Sequence, residues 1–161
     1  MPRITTVFWF DDRAEEAARF YVGLFPNSRV TNVSRYPDDF PDPAMAGQCL
    51  VADFELDGSP FQALNGGSTD FAPNESVSQS VAVETQDELD RLWFALAADG
   101  GVEGRCGWVR DRFGFWWQIV PTVMQWTVGG ADPEGSARAL QTMMGMSRLV
   151  IADLQAAYDG A

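Results

Sequence analysis

The chain has 161 residues, of which 46% are apolar and 12% aromatic, enough for a continuous core without disulfides. Its formal charge is −12, and all eleven basic residues are arginines, so no face offers the broad cationic patch that nucleic acids or anionic membranes require. Histidine is absent, which excludes imidazole chemistry of any kind.

Residues 4–10 form a β-branched and aromatic run, followed by Asp12 as a helix N-cap with Glu15 three residues on. Ala14, Ala17, Ala18, Tyr21, Leu24 and Phe25 then recur at helical spacing until Pro26 and Asn27 stop the helix. Residues 29–35, 50–56 and 61–64 read as strands, the last two joined by the turn signal Asp57-Gly58. Between them, Asp38, Asp39 and Asp42 lie in a solvated loop, because Pro37, Phe40 and Pro41 break any cation-ligand spacing.

After a loop over 66–76 the same order returns. Residues 78–83 alternate polar and apolar, and Thr85 with Glu88 forms a capping box. Leu89, Leu92, Trp93 and Leu96 supply the apolar stripe of a helix ended by Gly100 and Gly101. Short strands are expected around 104–109 and 115–120, the second following the tight turn Asp111-Arg112-Phe113-Gly114. Two βαβββ repeats, about 1–67 and 76–122, therefore predict an α+β domain over 1–122: a curved mixed sheet with outer helices and a central cleft. Residues 123–161 read as a helical C-terminal extension, with a helix start at Asp132-Pro133-Glu134, a stripe of Ala137, Leu140, Met143 and Met144, and a second helix over 149–158.

Cys49 and Cys106 have neither CxxC nor metal spacing and the N-terminus carries no signal-peptide pattern, which points to a reducing, cytoplasmic setting. No apolar run approaches the roughly 20 residues needed to span a bilayer.

Several stretches resemble the vicinal oxygen chelate superfamily of glyoxalase I, bleomycin-resistance proteins and extradiol dioxygenases. These are Phe8-Trp9-Phe10-Asp11, Ala14-Glu15-Glu16-Ala17 with Phe20-Tyr21, Ala63-Leu64-Asn65-Gly66-Gly67, Cys106-Gly107-Trp108, Asp111-Arg112-Phe113-Gly114 and Trp117-Gln118-Ile119-Val120-Pro121. Within it the chain looks like the PhnB-like group, often labelled 3-demethylubiquinone-9 3-methyltransferase. The resemblance covers about 4–121, and 143–158 is similar to that group's tail.

The superfamily pattern implies four metal ligands, His, Gln or Glu, from the first, fourth, fifth and eighth strands. Carried onto this chain they fall on Thr5, on Gln62 or Ala63, on Ser78 and on Gln118. A one-residue slip decides between the two fourth-strand choices. None is an imidazole, thiolate or carboxylate, so no tightly bound metal or other cofactor is expected.

Strand alternation groups Gln118 with Trp116 and Val120, Ser78 with Ser80 and Ala82, and Thr5 with Val7 and Trp9. With Asn65, whose amide can donate and accept where Asn65-Gly66-Gly67 ends the fourth strand, the expected ligand-binding residues are Trp9, Asn65, Ser78, Ser80, Trp116 and Gln118, suited to an aromatic or oxygen-rich small molecule. Arg105, Arg110 and Arg112 offer anion capture at the rim, and Glu84 or Asp53 a general base if either points inward.

The expected function is that of a metal-independent small-molecule binding protein or enzyme, forming a homodimer. The alternatives are a metal-assisted lyase, isomerase or dioxygenase, a methyltransferase as the group's label suggests, and a non-catalytic sequestering protein. Neither strand-to-helix junction carries the glycine-rich loop that methyl-donor sites usually use.

Overall fold

A computed structural model describes residue 2 and residues 4–161. It divides into two compact units, residues 1–71 and 72–161. In the first, β1 (Thr6–Phe10), α1 (Ala14–Leu24), β2 (Arg29–Arg35), β3 (Cys49–Leu56) and β4 (Ser59–Asn65) follow in the expected order. In the second come β5 (Ser78–Val83), α2 (Gln86–Ala97), β6 (Val102–Glu103), β7 (Trp108–Arg110), β8 (Trp116–Pro121), a 3-10 turn over Thr122–Gln125, α3 (Pro133–Met144) and α4 (Ile151–Asp159).

Each unit holds a four-stranded sheet of equivalent topology, β1-β4-β3-β2 and β5-β8-β7-β6. The first pairing in each, β1 with β4 and β5 with β8, is parallel, and the others are antiparallel. The expected α+β class and doubled βαβββ order are thus present, with the helical C-terminal segment after them.

In the first unit α1 packs on β1, β3 and β4. Phe8, Phe10, Ala52, Phe54 and Ala63 face it and are buried, and Tyr21 reaches down from the helix to meet Phe8 edge-on at 5.8 Å. In the second unit Leu89, Leu92, Trp93 and Leu96 of α2 are all buried, as their spacing predicts, against Val109, Trp117 and Ile119 of the sheet. Burying a single large apolar side chain stabilises by about 1.5–3 kcal/mol, so these two layers dominate the folding energy.

The start of α1 departs from the sequence reading. Its N-cap is Arg13, with no side-chain cap of its own, and Asp12 does not serve. The buried first N–H of the helix, that of Ala14, is instead taken by Asn65 Oδ1 at 2.8 Å, from the end of β4. At α2, by contrast, Thr85 and Glu88 form the capping box, with Glu88 N–H donating to Thr85 Oγ1 at 3.2 Å.

Strand β1 begins at Thr6 rather than at residue 4, and Ile4 is 96% exposed. The strand expected over 104–109 resolves into two short pieces, β6 and β7. The chain between them turns through Cys106 and Gly107, both at positive φ (55° and 83°). A Cβ on Gly107 would stand 2.9 Å from the Ile119 carbonyl oxygen and 3.0 Å from Leu149 Cδ1, so glycine is required there.

The C-terminal helices are fastened to the second unit by polar contacts. Gln86 Oε1 accepts the Ile151 N–H at 2.9 Å, while Gln86 Nε2 donates to the Leu149 carbonyl and to Asp90. Cys106 and Gly107 donate their N–H groups to the carbonyls of Met146 and Ser147, both at 2.8 Å. Along α3 the buried residues are Gly135 and Ala139, not the expected stripe: Leu140 and Met144 are 45% and 55% exposed. The helix meets α4 through its small residues, which allow Gly135 to approach Tyr158 closely.

Among the described residues no helix is long and apolar enough to cross a membrane.

Candidate functional site

Both sheets bury one face under a helix and carry their chemistry on the other. In the second unit, burial along β8 alternates: Trp117, Ile119 and Pro121 are buried, while Trp116, Gln118 and Val120 are only partly so. On β5, Ser78, Ser80 and Ala82 share that far face, since Ser78 pairs with Trp116 and Ser80 with Gln118. The two polar side chains meet, Gln118 Nε2 donating to Ser78 Oγ at 2.7 Å.

The antiparallel neighbour adds two groups. Trp108 lies opposite Gln118 and Arg110 opposite Trp116, so both share the far face. The Trp108 and Trp116 rings stand edge to face with centroids 6.4 Å apart. Trp108 was not among the expected site residues. The signal was its parity with Arg110, which becomes usable only once β7 is separated from the turn at Cys106-Gly107.

In the first unit the parallel register of β1 with β4 decides the choice between Gln62 and Ala63. Val7 pairs with Gln62 and Trp9 with Leu64, so Gln62 lies on the far face, and Ala63, opposite Phe8, is buried under the helix. Asp53 pairs with Gln62 and shares its face. Gln62 Nε2 donates to Asp53 Oδ1 at 2.7 Å, and Asn32 Nδ2 donates to Oδ2 at 3.2 Å. Asp53 thus points where a general base was sought, with both oxygens engaged by amides. Glu84 lies beyond the end of β5 and is exposed.

Trp9 is 38% exposed on the same face and firmly held. Its Nε1–H donates to the Gly67 carbonyl at 3.0 Å, Phe71 meets it edge-on at 5.7 Å, and the indole covers Gly66. Asn65, also expected to contact ligand, is buried at 4% exposure. Its Oδ1 accepts from Ala14 N–H, and its Nδ2 donates to the carbonyls of Asp12 (3.1 Å) and Cys49 (2.9 Å). Every hydrogen-bonding position of that amide except one acceptor lone pair is committed to holding α1 and β3 onto β4.

Of the three arginines near the last turn, Arg112 pairs with Asp99 at 2.7 Å and Arg105 donates to the Met144 carbonyl. Asp111 is buried and accepts the N–H groups of Phe113 (2.8 Å) and Phe115 (3.0 Å) on one oxygen and Trp117 Nε1–H (2.8 Å) on the other. It therefore fixes the turn that launches β8 and the tryptophan that anchors β8 beneath the helix.

Titration is perturbed away from these faces. The Glu15 carboxyl is held below its ordinary range, first by a hydrogen bond from Arg19 and further by Arg35, and Glu88 by the backbone N–H groups of Glu84 and Thr85. Burial pushes the Cys49 thiol up.

The donors on the two faces do not fit a tightly held transition metal. Gln118 and Ser78 are neutral and turned to each other, and the hydroxyl of Thr5 adds no charge. Of the carboxylates on the far face of β3, Asp53 is shared between two amides and Glu55 is paired with Arg29. Among the described residues no group of three or more His, Cys, Asp or Glu is arranged to hold an ion.

The two helix-covered, four-stranded mixed sheets define a protein of the glyoxalase-like α+β class. More particularly, the chain belongs to the 3-demethylubiquinone-9 3-methyltransferase family, whose model matches residues 2–120. It is similar to the PhnB protein of Bacillus cereus, at 30% identity and TM-score 0.65 over 75% of this chain and 100% of that one. A protein of Pseudomonas aeruginosa shares the fold at 23% identity and TM-score 0.58, covering 75% of this chain and 98% of that one. A glyoxylase/bleomycin resistance protein/dioxygenase domain from Frankia sp. aligns at 17% identity and TM-score 0.44, over 75% of this chain and 92% of that one. Among curated proteins, none matches the chain.

Proposed function

We propose that this chain is a small-molecule binding protein or enzyme that works without a tightly held metal, on an aromatic or oxygen-rich ligand. The observation that carries the reading is the far face of the second sheet. There two indoles stand edge to face beside a hydrogen-bonded amide and hydroxyl, a combination that binds planar rings through their faces and orients them through a few polar atoms. Ser78, Ser80, Trp116 and Gln118 are the proposed contacts on the second sheet, and Trp9 is a separate candidate contact on the first. Asn65 is left out of the set, because its amide is spent on the backbone.

The family's label favours a methyl-transfer reading, but both strand-to-helix junctions, Phe10 to Ala14 and Val83 to Gln86, are without glycine and offer no cradle for a methyl donor. A cytoplasmic homodimer, with residues 123–161 as an appendage to the doubled βαβββ core, completes the proposal.

The test is metal analysis of protein purified without chelator, alongside thermal-shift titrations with divalent ions, S-adenosylmethionine and a panel of aromatic compounds. Stabilisation by aromatics alone, reduced by Trp116→Ala, is expected. Stoichiometric metal whose stabilisation is lost in Gln118→Ala would replace the reading by a metal-assisted one, and saturable binding of the methyl donor would restore the transferase.

A further inference from the structure

Arginine is the chain's only cation, and carboxylates outnumber it by 23 to 11. In such a protein an arginine finds an acceptor easily. Among the described residues six arginines make ion pairs with Asp or Glu. Arg105 and Arg138 donate to backbone carbonyls, and Arg91 is engaged as well. Among the described residues Arg110 has no acceptor.

Its position makes this costly. Arg110 lies on the far face of the second sheet, directly opposite Trp116 and next but one along β7 to Trp108. Its side chain is half-buried and its Nε is sealed from solvent with no hydrogen-bond partner. An arginine that merely lays its stem along apolar surface keeps the whole guanidinium in water. Here part of the charged group is desolvated and left unpaired, an arrangement more costly than an orphaned neutral donor. With a net charge of −12 the molecule as a whole repels anions, so any anion binding must come from a local group of this kind.

Resting on the small-molecule reading above, we propose that Arg110 receives the oxyanion of the ligand, and that the ligand class is an aromatic ring bearing a carboxylate or phosphate. The guanidinium fork pairs with such a group through two parallel N–H donors. The Trp108 and Trp116 indoles contact the ring, and the Gln118–Ser78 pair meets its remaining polar substituents.

The test uses the full chain, with tryptophan fluorescence and calorimetric titration of three probes: benzoate, phenyl phosphate and neutral benzamide. At least one anion is expected to bind saturably and at least tenfold more tightly than benzamide, and which anion does so distinguishes carboxylate from phosphate recognition. Arg110→Gln should weaken the bound anion at least tenfold while changing benzamide less than twofold, and Arg110→Lys should recover part of the loss. Equal binding of an anion to the native chain and Arg110→Gln refutes the assignment, as does equal weakening of the anion and benzamide. Binding of benzamide without preference for either anion refutes Arg110 as the anchor and leaves the small-molecule reading standing. Failure of all three probes to bind the native chain overturns both.

Discussion

Replacing Asp111 by alanine should be among the most damaging single changes outside the apolar core. The carboxylate is buried and takes three donors, at 2.8, 3.0 and 2.8 Å. The N–H groups of Phe113 and Phe115 lie in a partly buried turn, where water can replace some of what is lost. Trp117 is 1% exposed, so its indole N–H would lose the Asp111 acceptor out of reach of water, at about 1–3 kcal/mol. Adding the weakened turn brings the expected cost to about 3–5 kcal/mol, a large fraction of the 5–15 kcal/mol typical of a domain.

Urea denaturation, followed by fluorescence and near-UV circular dichroism together, measures that cost as a drop in midpoint at unchanged slope. The indole's share is separated by combining Asp111→Ala with Trp117→Phe, which removes that donor; the cycle should show a coupling of at least about 1 kcal/mol. A single-variant cost below about 1 kcal/mol, or a coupling near zero, would mean that the carboxylate is not what anchors β8.

Gly66→Ala should destabilise by about 1–3 kcal/mol, because the new Cβ would lie 2.0 Å from Trp9 Cζ2 and force the indole off its place; an altered tryptophan emission should accompany the lowered melting temperature. The two thiols should differ in reactivity: native-state alkylation, read by mass spectrometry, should modify partly exposed Cys106 well before Cys49, which is 4% exposed and whose thiolate is disfavoured by burial. The depressed carboxyls of Glu15 and Glu88 add stability that is complete above the ordinary carboxylate range and disappears as pH falls through their lower folded values. Melting temperature should therefore decline on acidification below about pH 4.5, and more shallowly in the Glu15→Gln, Glu88→Gln double variant.

What could be read from the residues alone was whatever is decided locally. The stripe of α2 and its Thr85–Glu88 box lie within one segment, and β2 and β5 end where their composition changes, so all were legible. Alternation likewise placed Trp116 and Gln118 on one face. The cap of α1 was not legible, because its acceptor is Asn65, 51 residues further on, and the same fact turned an expected ligand contact into a strut. The side of Gln62 was undecidable until β1 supplied a register. On α3 the weight of Leu140 and Met144 misled, since the helix packs through glycine and alanine, whose contribution is closeness rather than area. Trp108 emerged only from the pairing of a three-residue strand, and the same pairing singled out Arg110 from the three arginines read near the last turn.

The indole of Trp9 lies where any side chain at position 66 would begin. Every glycine codon reaches only alanine, serine, cysteine, valine, aspartate, glutamate, arginine or tryptophan, or a stop, by one base change, and each of these amino acids brings a Cβ. Position 66 therefore drifts at little cost only after position 9 has yielded a smaller residue, so the order of substitutions, and not merely their identity, is biased in any lineage that keeps this fold.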